Sequence, residues 1–93
     1  MYFEWDESKA SINKKKHKVS FEEARTVFLD SNARLMPDPD HSENEDRFIL
    51  LGISEKLRLL VVCHCYRKTN KIIRIISARK ADRSEEKQYA RYI

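Results

Sequence analysis

Arg58-Leu-Leu-Val-Val-Cys-His-Cys-Tyr-Arg67, followed by Lys71-Ile-Ile-Arg-Ile-Ile-Ser-Ala-Arg-Lys80, is the stretch whose reading decides the fold. Both runs are dense in branched aliphatic residues, and the turn between them centres on Thr69-Asn70. Leu59 to Cys65 is almost wholly apolar, the pattern of a central strand covered on both faces. Upstream, Arg47 to Ile53 has the same character and joins Arg58 through Ser54-Glu-Lys-Leu57. Three runs and two short turns predict an antiparallel meander. Ala33 to Met36 adds a short edge strand, stopped by Pro37 and Pro39.

Helices flank these strands. Asp6 caps a helix over Glu7 to His17 whose apolar face is thin, with Trp5 outside its start and Ile12 within. Such a helix must lean on the rest of the fold. Ser20 followed by Glu23 forms a capping box, each side chain satisfying the other's backbone amide. Phe21, Ala24, Val27 and Phe28 then make a core-facing stripe, ended by Asp30-Ser-Asn. Asp82 and Glu85 repeat the capping pattern for a third helix whose apolar side is Tyr89, Tyr92 and Ile93. The expected fold is α+β in the order α-α-β-β-β-β-α, a four-stranded antiparallel sheet packed by helices.

Ninety-three residues make one domain over 1–93, with one modest core. A single glycine and two prolines exclude disorder by composition, although 37% of the residues are charged. No apolar run approaches the ~18 residues of a membrane span, and Met1-Tyr-Phe-Glu-Trp-Asp6 is not a secretory leader, so a soluble cytoplasmic protein is expected. Cys63 and Cys65 point to one face of their strand, where a disulfide would be cramped; they read as buried free thiols in a reducing compartment. The net charge is +4 and unevenly spread. Cations gather in Lys14-Lys-Lys-His-Lys18 and in Arg67, Lys68, Lys71, Arg74, Arg79, Lys80 and Arg83, while Asp38 to Asp46 is acidic. That asymmetry fits a face that meets a polyanion; its bland counterpart is a solvated surface.

Phe3-Glu-Trp-Asp6, Lys16-His17, Val19-Ser-Phe-Glu-Glu-Ala24, Asp38-Pro-Asp-His-Ser-Glu43, Arg47-Phe48 and Arg74-Ile-Ile-Ser-Ala-Arg-Lys80 together resemble the BrnT family of toxins. The resemblance runs nearly end to end, in the same order and spacing. It implies a RelE-like fold, RNA cleavage that halts translation, and a BrnA-like antitoxin with a ribbon-helix-helix part, in a heteromeric complex that binds promoter DNA through that antitoxin. The chain departs from the family at Lys18, where many relatives carry glycine after the histidine.

RNA can cut itself when a base removes the 2′-OH proton, an acid protonates the departing 5′ oxygen, and a cation steadies the phosphorane. No metal or cofactor is required, so histidines and arginines are the residues to weigh. The candidates are Arg74 and Arg79 as phosphate clamps, Arg47 as a further cation, and His64 or His17 as proton carrier. Lys16, Lys80 and Tyr66 are candidates for RNA contact, Tyr66 by stacking. Several have a competing structural reading: His64 as a satisfied core histidine, His17 as a helix-end cation, and Arg74 as the partner of Glu23 or Glu4. Arg79-Lys80 could simply begin the third helix, and Tyr89 and Tyr92 pack as helix residues. His41 lies in a loop where a solvated turn is the default, and the acidic residues around it lack the glycine and rigid placement of a calcium site.

With Ser54 to Leu57 as a four-residue loop, Ile53 faces Arg58 and Arg47 faces His64. The Thr69-Asn70 turn sets His64 against Ile75 and Cys65 against Arg74. In this register Arg47 and Arg79 share the face of His64, and Arg74 lies on the other, unless a bulge intervenes. A non-catalytic nucleic-acid- or protein-binding module using the same basic face is the alternative from another functional class.

Overall fold

The computed structural model describes residues 1–39 and 46–91. His41 with most of the acidic loop, and Tyr92 with Ile93, lie outside the described residues. The elements are β1 (Tyr2–Glu4), α1 (Glu7–His17), α2 (Phe21–Thr26) continuing into a 3-10 turn (Val27–Leu29), β2 (Arg34–Pro37), β3 (Phe48–Ile53), β4 (Leu59–Arg67), β5 (Ile72–Lys80) and α3 (Arg83–Ala90). The strands form one sheet in the order β1-β5-β4-β3-β2.

β2 to β5 pair antiparallel, as expected, but β1 adds a fifth strand parallel to β5. The expected four-stranded, wholly antiparallel sheet is therefore corrected to a mixed five-stranded one. Tyr2, Phe3 and Glu4 lie beside Ile72, Ile73 and Arg74. Three residues show no period of their own, and a partner seventy positions away leaves no local mark in the sequence.

Asp6 accepts from the Lys9 amide at 3.0 Å and opens α1 where the sequence places it. Asp82 and Glu85 form the full reciprocal box on α3. At α2 the box is only half made: Ser20 Oγ accepts from the Glu23 amide, but the Glu23 carboxylate does not return. Glu23, 1% exposed, turns inward to Arg58 and to the Ser54 hydroxyl at 2.6 Å. A buried carboxylate needs a cation more than the Ser20 amide needs that carboxylate as acceptor.

Val19, Phe21, Ala24 and Val27 pack on Leu50, Leu60, Val62, Ile73, Ile75 and Ala78, so one sheet face is covered by α1, α2 and the 3-10 turn. Gly52 permits the closeness: a Cβ there would meet Val27 Cγ1 and Ala33 Cβ at 2.9 Å. The opposite face is capped at one end by α3, where Tyr89 packs with Leu51 and Val61.

Two register details move the candidate residues. Ile53 pairs with Leu59 rather than Arg58, so Phe48, and not Arg47, stands opposite His64. Arg58 stays in the turn because its guanidinium is held by Glu23 and by the Lys18 carbonyl, while its own carbonyl accepts from the Ser54 amide. A slip of one residue sends Arg47 to the other face. On β5 the pairs at its start hold as read, with His64 against Ile75 and Cys65 against Arg74. Cys63 then pairs with Ser77, which leaves Ile76 as an extra residue. That bulge carries Arg79 opposite Val61, away from the face of His64.

Candidate functional site

The bulge and the slip together gather cations on the half-open face. Arg47 and Arg79 line a hollow of about 250 Å³ with Asp38, Cys63 and Ser77. The Arg79 guanidinium is gripped by Glu85 through two bonds, Nη1 to Oε1 at 2.9 Å and Nη2 to Oε2 at 2.8 Å. These bonds hold the Glu85 carboxyl below the usual carboxylate range. Cys63 donates its thiol to Asp38 at 3.3 Å, and burial, with that carboxylate beside it, pushes the thiol up to about 12. A thiol so strongly protonated is no nucleophile near neutrality.

A second hollow of about 210 Å³ opens beside the first, lined by Lys9, Asn13, Lys16, His17, Ile76 and Ser77. The two share Ile76 and Ser77 in their linings, with Arg47 and Arg79 in the first and Lys16 and His17 in the second. What places α1 there is polar. Asn13, buried, donates to the carbonyls of Val19 and Ala78 at 2.9 Å each and accepts from the Ala78 amide at 3.0 Å. β1 ends beside Arg74, and Asn13 takes up the β5 backbone further along. The last turn of α1, rich in lysine, is thereby fixed beside the bulge, and Lys18 ends the helix in the left-handed conformation.

The remaining candidates lie elsewhere. His64 is fully buried on the helix-covered face, within ring contact of Phe28, Phe48 and Tyr66. Both ring nitrogens have partners: Nδ1 is 3.1 Å from the Val62 carbonyl and Nε2 is 3.2 Å from the Tyr66 hydroxyl. Burial holds its pKa below the ordinary histidine value. Tyr66 lines a separate cavity at the end of β3 and β4. Arg74 makes the Glu4 ion pair that the sequence weighed for it, at 2.9 Å, and Glu4 also takes Arg67 at 3.1 Å. Lys80 ends β5, exposed.

Sequence reasoning missed three polar anchors: Asn13 on β5, the Glu23–Arg58 pair, and the Cys63–Asp38 contact. Only the placement of Glu23 beside the apolar stripe of α2 hinted at any of them. Among the described residues no group of three or more His, Cys, Asp or Glu side chains is placed to hold a metal, and no helix is long and apolar enough to cross a membrane.

Residues 5–85 match the family described as the ribonuclease toxin, BrnT, of type II toxin-antitoxin systems. Among solved structures the chain is similar to the 1.1 Å crystal structure of the Brucella abortus ribonuclease toxin, BrnT, with a TM-score of 0.69. The two are 24% identical, over 89% of this chain and 99% of that one, a likeness that speaks for the fold. No curated protein sequence gives a significant match.

Proposed function

Since the chain belongs to the BrnT family of ribonuclease toxins of type II toxin–antitoxin systems, we propose that it cuts RNA without a metal, on the half-open face of its sheet. The observation that carries this reading is a pair of hollows that share Ile76 and Ser77, one lined by Arg47 and Arg79 and the other by Lys16 and His17. Those are the residue types that metal-free cleavage needs: cations for the phosphate and an imidazole to move protons. Arg47 and Arg79 clamp the scissile phosphate, Arg79 pre-set by Glu85, and Lys16 steers the strand. His17 takes the 2′-OH proton, Arg74 extends the cationic track, and Lys80 meets RNA from the end of β5. His64 acts from the other face, through Tyr66 rather than by touching RNA.

In this reading residues 1–93 act as one RelE-like domain in the cytoplasm, where cleavage halts translation and growth. The antitoxin that type II membership implies is BrnA-like, with a ribbon-helix-helix part that carries the complex to its promoter. A second reading has one observation in its favour: Arg79 already spends its charge on Glu85, as in a non-catalytic binding module.

One experiment separates the two. Purified protein in excess EDTA should cut RNA and leave 2′,3′-cyclic phosphate or 3′-phosphate ends. His17→Gln should lose cutting by about 10²-fold or more, as for removal of a general base, yet still bind RNA. A strict need for magnesium or manganese with 5′-phosphate products would overturn the chemistry. RNA binding with no cutting at all would favour the module.

A further inference from the structure

We propose that the cavity at the end of β3 and β4 is a nucleotide subsite, in which Tyr66 recognises the amino group of a base and Arg67 takes its phosphate. This rests on the ribonuclease reading and supplies the base selectivity that a cationic surface lacks, since phosphate contacts carry no sequence information.

The cavity, open to solvent on one side, measures about 620 Å³, within the range of ~300–1,000 Å³ usual for small-ligand sites. Phe48 and Tyr66 form an aromatic wall, with ring centroids 5.5 Å apart at 64°. Unstacked RNA bases are bound on such walls. Asp46, Arg67 and Asn70 supply polar groups to the lining.

The hydrogen bonds behind the wall fix what Tyr66 can do. A carbonyl only accepts, so the contact with Val62 places the proton of the His64 ring on Nδ1. A neutral imidazole then has a lone pair on Nε2, and the Tyr66 hydroxyl must donate into it. With its only hydrogen spent, the phenolic oxygen offers nothing but lone pairs to a ligand. The Asp46 carboxylate offers lone pairs as well. A base is accepted when it brings N–H groups to that edge, as the exocyclic amines of adenine, cytosine and guanine do. Uracil, whose carbonyls flank its single N–H, sets lone pair against lone pair. On the phosphate side, Arg67 and Arg74 share the one carboxylate of Glu4, so that carboxylate does not neutralise both. Arg67 is half exposed there.

The test is a titration of the full chain, isotope-labelled, with AMP, CMP, GMP and UMP in turn, followed by NMR. The ring signals of Phe48, Tyr66 and His64 should move with the three amino-bearing nucleotides. These should bind about five- to tenfold tighter than UMP, the worth of one net hydrogen bond. Tyr66→Phe should abolish that difference, and in cleavage assays spread the cuts over more sequences. Arg67→Gln, altered at a half-exposed position, is the second variant: it should weaken AMP but leave adenosine unchanged. Equal binding of UMP, or shifts confined to the Arg47–Arg79 surface, would overturn the proposal. So would a cavity that ignores nucleotides and responds only to added antitoxin. Binding is read without cleavage, so a protein that cuts no RNA but still selects amino-bearing nucleotides would sink the ribonuclease reading and leave this one standing.

Discussion

Lys18 sits at φ 60°, ψ 30°, a conformation that crowds any Cβ and that glycine adopts freely. It is the position where the resemblance to the family leads one to expect glycine. The turn nevertheless has the same job: the Lys18 amide closes α1 on the Lys14 carbonyl, and its own carbonyl accepts from Arg58. The side chain contributes nothing to either bond. Lys18→Gly should therefore relieve strain and raise stability by about 0.5–1 kcal/mol, a few degrees in Tm for a domain of this size. A Tm that stays level or falls would mean that the lysine makes a compensating contact. The left-handed geometry of Lys18 was not legible in the sequence. Arg74 was legible in part. Its place among isoleucines marked it as a cation needing a partner, and Glu4 is that partner, brought alongside by a strand the sequence did not reveal.

α1 illustrates an element held by one polar residue. Its only buried side chain is Asn13, whose amide makes three bonds to the backbone of Val19 and Ala78. Asn13→Ala should leave those buried groups unsatisfied and lower stability by about 2–4 kcal/mol. Hydrogen exchange of the Ala78 amide should quicken, and RNA affinity should drop as Lys16 and His17 lose their placement. A variant that melts like the parent and keeps the Ala78 amide protected would refute the clamp. The bounds of α1 were legible because Asp6 caps it, and its weak apolar face correctly announced dependence on the rest of the fold. The means of docking was hidden, since an asparagine inside a lysine-rich helix looks like any solvated residue. Strands β2 to β5 announced themselves through branched aliphatic runs between turns. β1 did not, because a three-residue strand acquires its identity from β5.

Across the whole molecule the residue types of the candidate site were legible and their faces were not. Side chains alternate along a strand, so the single extra residue in the β3–β4 turn and the bulge at Ile76 were enough to carry Arg47 and Arg79 away from His64. The histidine that stayed behind gives the fold a pH limit. Burial holds the His64 pKa below 6.5, so the folded chain keeps the ring neutral while the unfolded chain protonates it. Its contribution is complete above that pH and is lost as the pH falls through 6.5 toward the folded value, with a slope approaching about 1.4 kcal/mol per pH unit for one proton. A second loss follows at lower pH. Arg58 holds Glu23 and Arg79 holds Glu85 below the ordinary 4.5. Burial alone would raise Asp30, but bonds from the Ile53 amide, the Tyr89 hydroxyl and the Asn32 amide bring it below 3.8. Each of these carboxylates stabilises the fold above its unfolded value and ceases to do so as acid protonates it. Melting curves from pH 8 to pH 3 should therefore be level at first, decline below about pH 6.5, and steepen below about pH 4.5. His64→Phe should remove the first decline and keep the second, because the carboxylates are untouched. A Tm that holds level from pH 7 to pH 5 in the unaltered chain would show that the imidazole charges freely in the fold, and the acceptor-only state of the Tyr66 oxygen would fall with it.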